Sequence, residues 1–256
     1  PNVASSQATT PTTRKRLVKR GSGTGPTANA EGASLATELW LYNPGATEAL
    51  IELALTDAGG GKRSLEVALA PRATRRYADA VASIAGGSSS GSLTITPRRG
   101  EIAATARLRI AEACGVCGAD LPVLPAGQGL RVGQTQRFSG LESASAATVA
   151  ARKPGTFRTG FGIVETTGAS VKVRASLKLA NGRSPIATIL SRDVTVAPGS
   201  TVAFADLAAA LFGPARGEAD LHDLQVDFEV VDGAGSAVVY VTSTDNATGD
   251  TIVRTE

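Results

Sequence analysis

The segment Ser64 to Gly86 (SLEVALAPRATRRYADAVASIAG) recurs without a gap as Ser191 to Gly213 (SRDVTVAPGSTVAFADLAAALFG). Nine of the 23 columns are identical, among them Pro71 with Pro198, Asp79 with Asp206 and Gly86 with Gly213, and Tyr77 stands over Phe204. Alanine-rich segments match by chance. A proline, an aspartate, a glycine and an aromatic in one register instead point to a duplicated module. A chain of 256 residues accommodates two modules of roughly 100 to 120 residues, each able to bury a core.

The chemistry of the repeated unit suggests its shape. Val67 and Leu69, like Val194 and Val196, alternate with polar neighbours as a half-buried strand does. Pro71 and Pro198 then end that strand, because proline has no N–H to give a central ladder. Beyond the turn, Tyr77 or Phe204 supplies an inward aromatic, and Asp79 or Asp206 caps one short helical turn that stops at glycine.

Other segments carry the same period of two. Val171, Val173, Ala175, Leu177 and Leu179 alternate with Lys172, Arg174, Ser176 and Lys178, and their counterparts are Ala49, Ile51, Leu53 and Leu55. The turns that follow, Asp57 to Gly61 and Asn181-Gly182, read as hairpins. Leu93 to Thr96 with Ile102 to Ile110, and Leu224 to Val230 with Ala237 to Thr244, supply later strand pairs. Only 4% of residues are aromatic and 29 are glycine, a mixture suited to short strands and many turns. The fold expected is all-β: two tandem antiparallel β-sandwich domains with an extended N-terminal arm. The divisions expected are an arm over 1–33, a first sandwich over 34–112, a Gly-, Ala- and Ser-rich connector over 113–155, and a second sandwich over 156–256.

The net charge of +3 is local to the arm, where Arg14, Lys15, Arg16, Leu17, Val18, Lys19 and Arg20 form the basic run. A nucleic-acid binder spreads cations over a face and interleaves aromatics, so nucleic acid is not an expected partner. No apolar run reaches the roughly 18 residues of a membrane span. Free in solution such an arm is expected to be disordered, and an extended segment of this kind can be ordered by backbone pairing along a sheet edge, on its own module or on a neighbouring copy. A start at Pro1 with no methionine anywhere fits a leader cleaved on export, or a trimmed chain.

Cys114 and Cys117 form a CxxC with neither the four ligands of a zinc site nor the following histidine of a haem site. In a Gly-rich loop they read as a local disulfide of an oxidising compartment, free thiols being the alternative. His222, beside Asp220 and Asp223, is the only histidine and has no nucleophile motif with it, so it reads as a surface residue. Asp245, Asn246, Thr248 and Asp250 lack the spacing of a calcium loop and read as a hydrogen-bonded turn. Trp40 and Tyr42 form a sugar-stacking pair if exposed, but a core tryptophan is the more economical expectation.

The opening Thr37-Glu38-Leu39-Trp40-Leu41-Tyr42-Asn43-Pro44-Gly45 resembles the TDLWLYNP start of tandem β-sandwich modules in exported proteins of acidobacteria and similar environmental bacteria. Phe157 to Val164 is similar to that family's FRTNLGLVN, and Asp245 to Asp250 to its closing DNxTGD. Two departures are Glu165, where asparagine is usual, and the inserted Ser143 to Pro154. The resemblance implies an extracellular accessory or structural module and brings no catalytic residues. The expected protein is therefore non-catalytic and needs no cofactor. It is expected to be an extracellular structural subunit joined to copies of itself through the arm in a surface filament, the alternative being a secreted module that binds carbohydrate or a cell surface.

Overall fold

In the computed structural model the described residues are 15–18, 34–57, 60–87, 89, 91–112, 115–121, 123–125, 127–179, 190–213 and 218–255. They form an all-β sandwich fold of antiparallel strands, with three helices of five or six residues among them.

The N-terminal strands make two facing sheets. One has the order β4 (Lys62–Leu69), β3 (Ala49–Asp57), β6 (Gly91–Arg99), β1 (Lys15–Val18), β9 (Val123–Pro125). The other runs β5 (Thr74–Tyr77), β2 (Ser34–Tyr42), β7 (Ala103–Glu112), β8 (Gly115–Leu121). Leu39, Leu41, Ile51, Leu53, Leu93, Ile95 and Leu108 meet between them in a core built mainly of aliphatic side chains.

The C-terminal strands repeat this order. β13 (Leu190–Val196), β12 (Val171–Leu179), β15 (Leu221–Gly233) and β10 (Thr135–Ser143) stand where β4, β3, β6 and β1 stand. Opposite them, β14 (Thr201–Phe204), β11 (Phe157–Glu165), β16 (Ala237–Asp245) and β17 (Thr251–Arg254) match β5, β2, β7 and β8. A single register pair, Ser143 with Arg158, joins the two halves into one eight-stranded sheet that folds over its own core. Phe161 from one half lies 5.2 Å from Phe228 of the other, and Phe138 meets Phe228 edge-on at 6.0 Å.

The repeated segment holds matching places in the two sets. Val67 and Leu69, and Val194 and Val196, are buried. Pro71 and Pro198 take the second position of turns closed by Ala73 N–H to Ala70 O and by Ser200 N–H to Ala197 O. The next residues, Arg72 and Gly199, have φ of 58° and 71°, the left-handed conformation the third position of such a turn requires. Asp79 is the N-cap of α1 (Ala80–Ala85) and accepts from Val81 N and Ala82 N; Asp206 is the N-cap of α3 (Leu207–Phe212) and accepts from Ala209 N. Gly86 and Gly213 follow as the C-caps.

Lys15–Val18 is a strand inside the first sheet, between β6 and β9 of the same chain; the rest of the expected arm, including Arg14, Lys19 and Arg20, lies outside the described residues. The stretch expected as connector contains β8, β9, β10 and α2 (Ala146–Ala150). β8 forms a hairpin with β7, and β10 starts the second strand set.

The two sets touch. Ser92 Oγ donates to Gly199 O at 2.8 Å in a buried position, and Val253 of β17 packs against both the first core and the pair Val164 and Tyr240. Tyr240 lies across Gly162 on the neighbouring strand, so closely that a Cβ at 162 would overlap its ring. Gly162→Ala is therefore expected to destabilise by about 1–3 kcal/mol through overpacking. A thermal melt reads this, and an unchanged midpoint would show that the ring has another place to go.

Candidate functional site

Two features stand out as surfaces on which the fold can act: the slot that holds β1 and the outer face of the β5-β2-β7-β8 sheet. The β1 slot is made of backbone. Lys15, Arg16, Leu17 and Val18 pair with Ile95, Thr94, Leu93 and Ser92 of β6, and the first three also pair with Pro125, Leu124 and Val123 of β9. The equivalent position in the second set belongs to β10, which is nine residues long and only a short helix away from β11 in the chain.

The outer sheet face follows from alternation along β2. Leu39 and Leu41 take the two inward positions and are fully buried. Trp40 therefore points outward and is half-buried, and Tyr42 is 36% exposed. The expected core tryptophan is thus corrected: the inward places on either side of it are filled by Leu39, opposite Tyr77 and Ala106, and by Leu41, opposite Ala104. Cross-strand from Trp40 lie Arg76 on β5 and Thr105 on β7. The Arg76 guanidinium sits 5.6 Å from the centre of the Trp40 ring.

Glu38, two residues before Trp40, is buried beneath two cations. Arg76 Nη2 is 2.5 Å and Arg109 Nη1 3.2 Å from its Oε1. The hydrogen bond from Arg76 is the main force holding the Glu38 carboxyl below its usual range, against the opposing pull of burial. Arg107 of β7 stands beside this pair, opposite Glu38 on β2 and opposite Asp120 on β8.

The matching face of the second set is built differently. Where the first has Arg76, Trp40, Arg107 and Arg109, the second has Ala203, Gly162, Thr242 and Thr244 in the same register. Its single large outward aromatic, Tyr240, is 4% exposed.

A second pair of equivalent positions lies at the ends of β2 and β11. Asn43 N–H donates to Ala73 O, and Glu165 N–H to Ser200 O, each at 3.0 Å, so both residues brace the proline turn of their own set. Their side chains do so with opposite polarity. Asn43 Nδ2 donates to the carbonyls of Thr47, Leu69 and Ala70 at 2.8, 3.0 and 3.1 Å, and Oδ1 accepts from Gly45 N. The Glu165 carboxylate, 0% exposed, accepts from Thr167 N and Oγ1, Gly168 N and Gly199 N at 2.5 to 3.0 Å. Burial pushes the Glu165 carboxyl up, and these donors outweigh it, holding it below the usual glutamate range. Asn43 and Glu165 thus reverse the direction of hydrogen bonding at one equivalent structural position.

The remaining sequence candidates are distributed over the molecule. His222 is exposed, with Nδ1 3.8 Å from Glu142 Oε1. Asp220 instead accepts from Ser145 N and Thr148 Oγ1, and Ser145 is the N-cap of α2, which organises the inserted Ser143 to Pro154 stretch. Asp245 Oδ1 accepts from Ala247 N and Thr248 N, while buried Asn246 bonds to Thr156 and Arg158, so this loop is a hydrogen-bonded turn. Cys117 lies in β8, its backbone opposite Ile110, rather than in a loop; its side chain and Cys114 lie outside the described residues. Among the described residues no group of three or more His, Cys, Asp or Glu is placed to hold a metal, and no helix is long and apolar enough to cross a membrane. No family model matches the chain, and no curated protein matches it.

Proposed function

We propose that this is a non-catalytic extracellular structural protein of two tandem sandwich modules, whose subunits join head-to-tail when β1 of one chain fills the slot between β6 and β9 of the next. The observation that carries this reading is the place of β1. It occupies the position that β10 holds in the second set, yet it reaches β2 only through residues 19–33. Fifteen residues span at most about 50 Å when extended, enough to reach either the same sandwich or a neighbour. Antiparallel ladder bonds are made by backbone groups, so a strand from another copy satisfies β6 and β9 equally well.

Withdrawing β1 leaves β6 and β9 with open edges, which template pairing with another chain. Each subunit then donates one strand and accepts one, and a heterologous contact of that kind propagates into a filament unless it closes into a ring. The two cores and the Ser92–Gly199 contact make each subunit a suitable spacer. Export to an oxidising compartment belongs to the same reading, with Cys114 and Cys117 as the pair that compartment oxidises.

Sedimentation and electron microscopy of the full chain test the proposal. Oligomers that grow with concentration are expected, and deletion of residues 1–18 should return a monomer. A synthetic peptide of residues 10–22 should shorten the assemblies by occupying the slot. A full chain that stays monomeric at every concentration, and is unchanged by the deletion, overturns head-to-tail assembly.

A further inference from the structure

We propose that the outer face of the β5-β2-β7-β8 sheet is a binding platform for an anionic polysaccharide, one whose sugar units carry carboxylate or sulfate groups. The face offers both halves of the recognition such a ligand needs. Trp40 and Tyr42 stand on the same face of one strand, about 7 Å apart; Tyr42 is exposed, and Trp40 is half-buried with the Arg76 guanidinium against its ring, so the pair offers aromatic surface edged by a cation to the apolar faces of sugars. Around them Arg76, Arg107 and Arg109 present planar guanidinium groups, which match carboxylate and sulfate oxygens bidentately.

The charge balance favours an anion. Glu38 is already neutralised beneath Arg76 and Arg109, and Asp120 stands opposite Arg107 on β8 with no ion pair of 4.0 Å or less between them, so among these five groups one positive charge is left over. The lack of aliphatic bulk argues against a protein partner. The outward neighbours of the aromatic pair include Thr74, Ala103 and Thr105, and a stable protein interface buries about 800 Å² per side around an apolar centre.

The second strand set serves as an internal comparison. Its register positions replace all three arginines with Ala203, Thr242 and Thr244, and its outward aromatic is buried. The second set has Gly160 in the place of Glu38, so it has no buried carboxylate for Arg76 and Arg109 to neutralise; Arg107, whose place Thr242 takes there, is the cation that this sheet does not need for its own packing.

The chain has one tryptophan, Trp40, so its fluorescence reports on this face alone. Titrating the full chain with polygalacturonate or dextran sulfate is expected to shift or quench that emission, whereas uncharged dextran should leave it unchanged. The double variant R107Q/R109Q should weaken binding at least about tenfold, and Tyr42→Ala by a few-fold. R98Q/R99Q removes the same charge from the β6 strand of the other sheet and should change the affinity less than twofold.

Equal weakening by both double variants overturns the platform, as does retention on the anionic polymers with no change in Trp40 emission. Binding of polyglutamate as tight as that of polygalacturonate overturns the sugar assignment. Because Tyr42 is partly exposed, circular dichroism of Tyr42→Ala should match the parent, and Trp40→Phe, read by retention on the immobilised polymer, supplies a second, conservative variant. These readouts concern monomer and filament alike, so failure here leaves head-to-tail assembly standing, and the converse holds.

Discussion

Replacing Glu165 with Gln is expected to destabilise the protein by about 3 kcal/mol or more, because the new amide turns donors toward a ring of N–H and O–H groups that have no other acceptor. For a chain of this size the melting midpoint should fall by about 6–12 °C. The pH dependence gives a sharper check. The carboxyl is held below its unfolded value, so its contribution is fully present above about pH 4.3 and is lost as pH falls through the lower folded value. Denaturant titrations at pH 7 and pH 3 should therefore show a large gap between parent and variant at neutral pH and a smaller one in acid. A gap of the same size at both would mean that the charge of Glu165 contributes nothing.

Asn43→Asp is expected to damage the first strand set by a comparable amount, about 3–5 kcal/mol at neutral pH, and this damage too shrinks in acid, though for the opposite reason: a penalty is relieved rather than a stabilising charge lost. The substitution brings a carboxylate against the carbonyl oxygens of Thr47, Leu69 and Ala70 and leaves only Gly45 N as a donor to it. Such an acid has its folded pKa raised, so protonation favours the folded state and the loss should shrink as pH falls. The same denaturant series measures it. An Asn43→Asp chain that is more damaged at pH 5 than at pH 7 would contradict the hydrogen-bond directions assigned here. Equivalent residues in the two sets are thus not interchangeable, although the backbone bonds they make are the same.

Much of this fold is legible in the sequence because most strands face water on one side. Ala49 to Leu55 and Val171 to Leu177 alternate cleanly, and the proline turns and Asp caps announce the ends of elements. β10 hides for a physical reason: its register with β15 shifts between Phe138 and Leu141, where Gly140 has φ of 65°, so its inward residues are three apart rather than two. β8 hides because its inward positions include Ala119, too small to mark a buried face by itself. β1 has only four residues, and nothing local ties it to a sheet whose other strands begin at Ala49. The outer face is hard to read from the sequence for a related reason. In Glu38-Leu39-Trp40-Leu41-Tyr42 either alternate set is apolar enough to face inward, and only the partners across the sheet, Tyr77 for Leu39 and Arg76 for Trp40, decide between them.

If subunits join head-to-tail as proposed, the shortness of β1 would also determine how the assembly fails under load. Tension along a filament passes through each joint, where four register pairs on one side and three on the other hold the donated strand, whereas β2 and β7 inside a subunit share nine. The joint parts before the bead does. In the assembly proposed, a break there would leave the two freed edges of β6 and β9 ready to pair again, so a fibre of these subunits would yield at its seams and could reseal.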